Sequence, residues 1–158
     1  MRFVFDTNAI VSALLTPRGT RAEVLRAVLQ RHRLIVSLEM VTEYTDVILR
    51  PDFDRIGPPK LRLERLREIL SVPGCLAIRP LTRHSVVAED PSDNLFADAA
   101  VWAGADYLVS GDAHLCALTQ IRSPHLKRPV SIVGTDAREL AQVLPALYPQ
   151  RPARSTQA

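Results

Sequence analysis

The sequence predicts an α/β domain whose central sheet is mainly parallel. Short apolar, β-favouring runs alternate with helical periodicities along the chain, the order that builds βαβ units with right-handed crossovers. Two of those runs, Arg2–Phe5 (RFVF) and Tyr107–Ser110 (YLVS), end directly in polar and acidic residues, Asp6-Thr7-Asn8 and Gly111-Asp112. Ligands of parallel sheets gather at the carboxyl ends of strands, so the second observation places chemistry as well as structure.

The elements follow in order. RFVF reads as a buried first strand. After a linker containing Pro17 and Gly19, Thr20 and Glu23 form a capping box for a helix carrying Val24, Leu25, Val28 and Leu29. Arg33–Ser37 is the second strand, and Ser37 caps a helix whose apolar face is Met40, Val41, Tyr44, Val47 and Ile48. That helix ends by Arg50-Pro51. Residues 51–60 are Pro-rich and irregular, and Pro59 opens a helix with Leu63, Leu66, Ile69 and Leu70 inside and Arg62, Arg65 and Arg67 outside. Val72–Gly74 closes it, and Leu76–Ile78 is a short strand. Pro91 and Ser92 then stop the preceding chain. Leu95, Phe96, Ala99, Ala100, Trp102 and Ala103 recur at helical spacing up to Gly104, which suits a C-terminal cap. YLVS follows, then a short helix over Ala113–Leu118, a last strand at Val130–Val133, and a helix capped by Asp136 and Glu139 that runs through Leu140, Val143 and Leu144. One domain, residues 1–147, is expected, with residues 148–158 a disordered polar tail.

Composition narrows the class. The chain has 158 residues, 47% hydrophobic and 23% charged, with a formal net charge of +3, an ordinary globular profile. It lacks the long apolar run of a membrane span and the pattern of a signal peptide, so a cytoplasmic protein without membrane association is expected. Cys75 and Cys116 have no metal-type spacing and read as buried thiols. Of the 20 Lys and Arg residues, all but Lys60 and Lys127 are Arg, which suits a phosphate-rich partner through bidentate hydrogen bonding. A solvated basic surface explains the same count.

Against that basic background, no Lys or Arg occurs between Arg83 and Arg122, while Glu89, Asp90, Asp93, Asp98, Asp106 and Asp112 all fall there. Such a cluster repels itself unless water or a bound cation neutralises it, and oxygen-only donors select Mg²⁺ or Mn²⁺ over zinc. Asp93 is placed in the first turn of its helix, and Asp98 on the opposite flank of the apolar stripe. Glu43 borders the apolar face of the second-strand helix, whereas Glu39 and Asp46 lie on the solvent side. Asp6, Glu43, Asp93 and Asp112 thus occupy equivalent topological places at one end of the sheet.

With FDTN near the N-terminus, VTEYTDVIL around Glu43 and DPSDNLFADAAVWAGADYLVSGD before a final strand and helix, the chain resembles the PIN-domain ribonucleases, in particular the VapC group of toxins from toxin–antitoxin pairs. The resemblance reaches to about residue 147, and the third motif is the most specific. It implies a three-layer α/β/α sandwich of the PIN-like kind, Mg²⁺- or Mn²⁺-dependent hydrolysis of RNA phosphodiester bonds, a cognate antitoxin, and a homodimer or higher homo-oligomer, for which the apolar residues Leu63, Leu66 and Leu70 offer a surface. It also implies that Asp6, Glu43, Asp93 and Asp112 are the catalytic and metal-binding acids, with Asn8, Ser110 and the weaker match Thr7 orienting them. His114 stands where such proteins often carry a further acid, and is a candidate phosphate contact. Asp90 and Asp98 are candidates to supplement the site. Two other readings compete: an inactive PIN-fold interaction domain, and a Mg²⁺-dependent phosphoaspartate phosphatase. The latter wants an acid two residues after the first Asp, and Asn8 stands there.

Overall fold

The computed structural model describes residues 1–81 and 94–148. The strands are β1 (Arg2–Phe5), β2 (Arg33–Ser37), β3 (Cys75–Ile78), β4 (Tyr107–Ser110), β5 (Gln120–Ile121) and β6 (Val130–Gly134). The helices are α1 (Thr7–Leu15), α2 (Thr20–Arg31), α3 (Leu38–Ile48), α4 (Pro59–Ser71), α5 (Asn94–Ala103), α6 (Ala113–Leu118) and α7 (Ala137–Leu147), with a 3-10 helix over Pro51–Ile56. The strands form one sheet in the order β3-β2-β1-β4-β6-β5. All neighbours are parallel except β5, which runs antiparallel along the β6 edge.

Phe3, Val4 and Phe5 of β1, Leu34 and Ile35 of β2, and Leu108 and Val109 of β4 are all buried. Successive strand side chains point to opposite faces, so unbroken burial means that helices cover the sheet on both sides. The three-layer arrangement implied by the resemblance follows. The chain leaves β1 towards β2 and β3, then returns through α5, which packs on β1, β2 and β4. With right-handed crossovers, that change of direction puts α5 on the face opposite α1 to α4.

Four local expectations are corrected. Residues 7–15 are not part of the linker but a helix, capped by Asp6 and buried at Thr7, Ala9, Ile10, Val11, Ala13 and Leu14. Only Asn8 is exposed, with Ser12 and Leu15 half-buried, so the polar stripe of α1 is too narrow to mark a surface helix in a sequence. The Thr20–Glu23 capping box does not form, because Gly19 is the cap residue and Thr20 is already helical. The edge strand β5 is only two residues long, too short to show an alternation. Arg62 lies inside rather than outside: it is fully buried, with Nη2 donating to Asp54 Oδ1 at 2.6 Å and Nη1 to the Arg50 carbonyl at 3.0 Å, while Nε has no partner. Arg62 therefore ties α4 to the turn between α3 and α4.

The Asp54 side chain is largely exposed, so water screens the pair and most of the Arg62 contribution is packing. Arg62→Ala should cost about 3 kcal/mol, the usual scale for emptying a large buried site. Arg62→Met, which keeps the volume without a buried charge, should stay within about 1 kcal/mol of the parent. Urea denaturation of the two variants checks this, and equal losses would mean that the ion pair, not packing, supplies most of the stability.

Of the apolar residues of α4, Leu66 is buried in its own chain, while Leu63 and Leu70 are half-buried against the core, and α4 contacts α1, α3 and β3.

Candidate active site

β1 and β4 are neighbours, and the sheet order reverses beside them, so their carboxyl ends open a crevice at the topological switch point. Phe5 pairs with Val109, and the Asp6 amide extends the ladder by donating to the Val109 carbonyl at 2.9 Å. This register sets Asp6 against Ser110-Gly111-Asp112.

Asp6 is buried and its carboxylate is held from three sides. Oδ1 accepts from the Ala9 amide at 2.6 Å, capping α1, while Oδ2 accepts from Ser110 Oγ at 2.6 Å and the Gly111 amide at 2.9 Å. Ser110 Oγ in turn accepts from the Asp112 amide at 3.0 Å. One buried hydroxyl thus fixes both acids, donating to the first and accepting from the backbone of the second. Asp112 caps α6, its Oδ1 accepting from the His114 and Leu115 amides at 2.7 and 3.1 Å. Its other oxygen takes no hydrogen bond among the described residues.

Glu43 reaches the same end of the sheet from α3. Thr7 Oγ1 donates to its Oε1, and the next residue, Tyr44, donates its hydroxyl to the Phe5 carbonyl at 2.6 Å. Burial first, then the charges of Asp6 and Glu43, hold the Tyr44 hydroxyl well above its usual pKa of 10.0. It remains a donor, pinning α3 to the end of β1. Sequence periodicity assigns Tyr44 to the core but gives no sign of this bond, because its partner is a backbone carbonyl distant in sequence.

The Asp6 carboxyl is raised above its usual 3.8, chiefly by burial and further by the Asp112 charge, with the bonds from Ser110, Ala9 and Gly111 acting the other way. No cationic side chain is among the influences on it. A divalent cation would relieve this repulsion, and the oxygen-only donors suit Mg²⁺ or Mn²⁺. The donor chemistry therefore fits such an ion. Among the described residues, however, no group of three or more His, Cys, Asp or Glu side chains is close enough to hold a metal. Asp93 and Asp90 lie outside the described residues.

The remaining candidates are spread more widely. Asn8 is exposed on the first turn of α1, with no hydrogen bond to Asp6, Glu43 or Asp112 among the described residues, and His114 is exposed at the start of α6. Asp98 is buried on α5. A cavity of about 720 Å³ lies at the opposite end of the strands, lined in part by Arg2, Asp106, Lys127 and Arg128. It is remote from the acids.

A parallel sheet covered on both faces, with acids gathered at the carboxyl ends of its two central strands, places the molecule in the PIN-like α/β class. The PIN domain family model matches residues 2–114, and the chain belongs to that family. The fold is similar to that of a chain in the crystal structure of VapBC2 from Rickettsia felis bound to a DNA fragment from its promoter. The likeness has 14% identity and a TM-score of 0.58, and covers 86% of this chain and 100% of that chain. No curated protein matches the sequence.

Proposed function

We propose that this PIN-domain protein is a Mg²⁺- or Mn²⁺-dependent endoribonuclease and the toxin of a toxin–antitoxin pair. The observation that carries the reading is the Ser110-locked pair of Asp6, buried, and Asp112, half-buried, at the switch point, an anionic centre with no cationic side chain among the influences on Asp6 from the described residues. Membership of the PIN-domain family supports nuclease chemistry, and the likeness to a VapBC2 chain supports an antitoxin partner. Asp6 and Asp112, with Asp93 from the start of the α5 segment, are the residues to hold the ion. When bound, the ion lowers the pKa of water to give a hydroxide and stabilises the charge developing on a phosphodiester. Glu43, steadied by Thr7, orients or deprotonates the attacking water in this reading, and Ser110 keeps Asp6 and Asp112 in register. The protein acts in the cytoplasm as a homodimer or higher homo-oligomer. Among the described residues no helix is long and apolar enough to cross a membrane.

The direct test is incubation of purified, antitoxin-free protein with structured RNAs and Mn²⁺. Discrete fragments are expected, and intact RNA would favour an inactive interaction domain. Metal binding has its own signature. The ion needs the ionised form of Asp6, whose pKa is raised, so proton competition should set in at a higher pH than for an ordinary aspartate. A thermal-shift titration with Mn²⁺ should show tighter binding at pH 7.5 than near pH 5, and a melting temperature indifferent to millimolar Mn²⁺ at both would remove the metal from the proposal.

A further inference from the structure

A pocket of about 240 Å³ lies beside the acid centre, lined by Ser12 of α1, its C-cap Thr16, Gly19 that caps α2, Thr20 and Arg21 at the start of α2, Thr135 after β6, and Ala137. We infer that it is a subsite for a backbone phosphate of the RNA strand flanking the cleaved bond, with Arg21 as the binding cation. This rests on the nuclease reading above, but extends it to how substrate is held.

Three features carry the assignment. The pocket is continuous with the catalytic loop: a Cβ placed on Gly111 would lie 2.9 Å from Thr135 Oγ1, so the Thr135 hydroxyl abuts the turn that presents Asp112. On its other side, Asn8 and Ser12 lie four residues apart on α1 and Thr16 is its C-cap, one line that starts beside Asp6 and ends in the pocket. Four residues rise about 6 Å, so the line forms a polar track leading away from the acids. The third feature is Arg21 itself. Its Nε donates to the Thr135 carbonyl at 2.9 Å and Nη2 makes only a long contact to Thr135 Oγ1 at 3.4 Å. This fixes the guanidinium plane while Nη1 makes no hydrogen bond among the described residues.

Arg21 is half-buried, and the two acids after Thr135 are committed elsewhere. Asp136 Oδ1 accepts from the Glu139 amide at 2.8 Å, and Glu139 Oε2 from the Gly134 amide at 2.6 Å. A positioned guanidinium among four hydroxyls is a donor-rich surface for a phosphate. The first turn of α2 opens into the same space, and Gly19 offers its amides no side-chain acceptor. A guanidinium and hydroxyls that hold a phosphate touch no base edge, so the contact reads backbone and not sequence.

The test uses RNA binding rather than cleavage, so that it stands apart from the nuclease reading. In an Asp112→Asn background, the affinity of a labelled single-stranded 12-mer is measured by anisotropy between 50 and 200 mM salt, conditions over which phosphate contacts show as counterion release. Arg21→Gln should weaken binding severalfold and reduce the slope of log K against log salt by about 0.7, the release expected for one single-strand phosphate. Thr16→Asp, at an exposed position that leaves the Arg21–Thr135 bonds alone, should weaken it similarly by repulsion. Neither variant should change the affinity for a dinucleotide, which has no flanking phosphate. An unchanged slope in both variants, equal losses on the dinucleotide, or no RNA binding by the parent overturns the subsite. Binding without Mn²⁺-dependent cleavage by wild-type protein would overturn the nuclease reading alone.

Discussion

Asp112→Asn should abolish RNA cleavage while leaving the fold intact. The asparagine oxygen can accept the His114 and Leu115 amides as Asp112 Oδ1 does, so the cap on α6 survives. What is lost is one negative donor at the ion. Charge stabilisation by a catalytic metal amounts to several kcal/mol, and about 1.4 kcal/mol is tenfold in rate, so a fall of at least about 10³ is expected. The metal-free variant should also melt a few degrees above the wild type, because the Asp112 charge is one of the influences opposing ionisation of buried Asp6. Asp6→Asn is the poorer probe. Both Asp6 oxygens accept hydrogen bonds, and an amide nitrogen in place of one oxygen would set a donor against the Ala9 or Gly111 amide. Cleavage by Asp112→Asn at the wild-type rate would mean a contaminating nuclease or a different centre.

Gly74→Ala should be the most damaging small substitution outside the site. A Cβ there would lie 2.0 Å from the carbonyl oxygen of Leu29 and 2.7 Å from its carbonyl carbon, both backbone atoms of α2 that no side-chain rotation can move aside. The Gly74 carbonyl also accepts from the Leu34 amide at 2.8 Å, so retreat from α2 would break the start of the β2–β3 pairing. Overpacking of this kind costs about 3 kcal/mol, or roughly 6–12 °C in melting temperature for a chain of this size. Differential scanning calorimetry measures it. A loss below about 1 kcal/mol would show that α2 and β3 can separate without disturbing the sheet.

Much of the candidate site is present in local chemistry. An apolar run ending in Asp6, and another ending in Ser110-Gly111-Asp112, name two strand ends without any coordinates, since β-type runs and polar terminators are local properties. Tyr44 on the apolar face of α3 and Glu43 at its border follow from helical periodicity in the same way. Local pattern does not reveal what each polar atom touches. Thr7 is a weaker candidate than Asn8 from the motif, but helix geometry turns Thr7 inward to Glu43 and leaves Asn8 exposed. Arg62 belongs to a charged helix face by composition, yet it is fully buried, because the turn at Arg50 and Asp54 folds over it.

The alternation of β-type runs and helical periods was enough to specify an α/β domain with a mainly parallel sheet, and the chemistry of its strand ends was enough to nominate the acids. Periodicity and capping act over a few residues, so they are readable one segment at a time. The choice of neighbours was tertiary. Only the order β3-β2-β1-β4-β6-β5 makes β1 and β4 adjacent and brings Asp6 within 2.6 Å of Ser110 Oγ, more than a hundred residues along the chain. Likewise only packing gives Gly74 its contact with Leu29 and Arg21 its hold on Thr135. These contacts depend on which faces meet when the layers close, and that is decided by burying the whole apolar surface at once rather than by any one stretch of sequence.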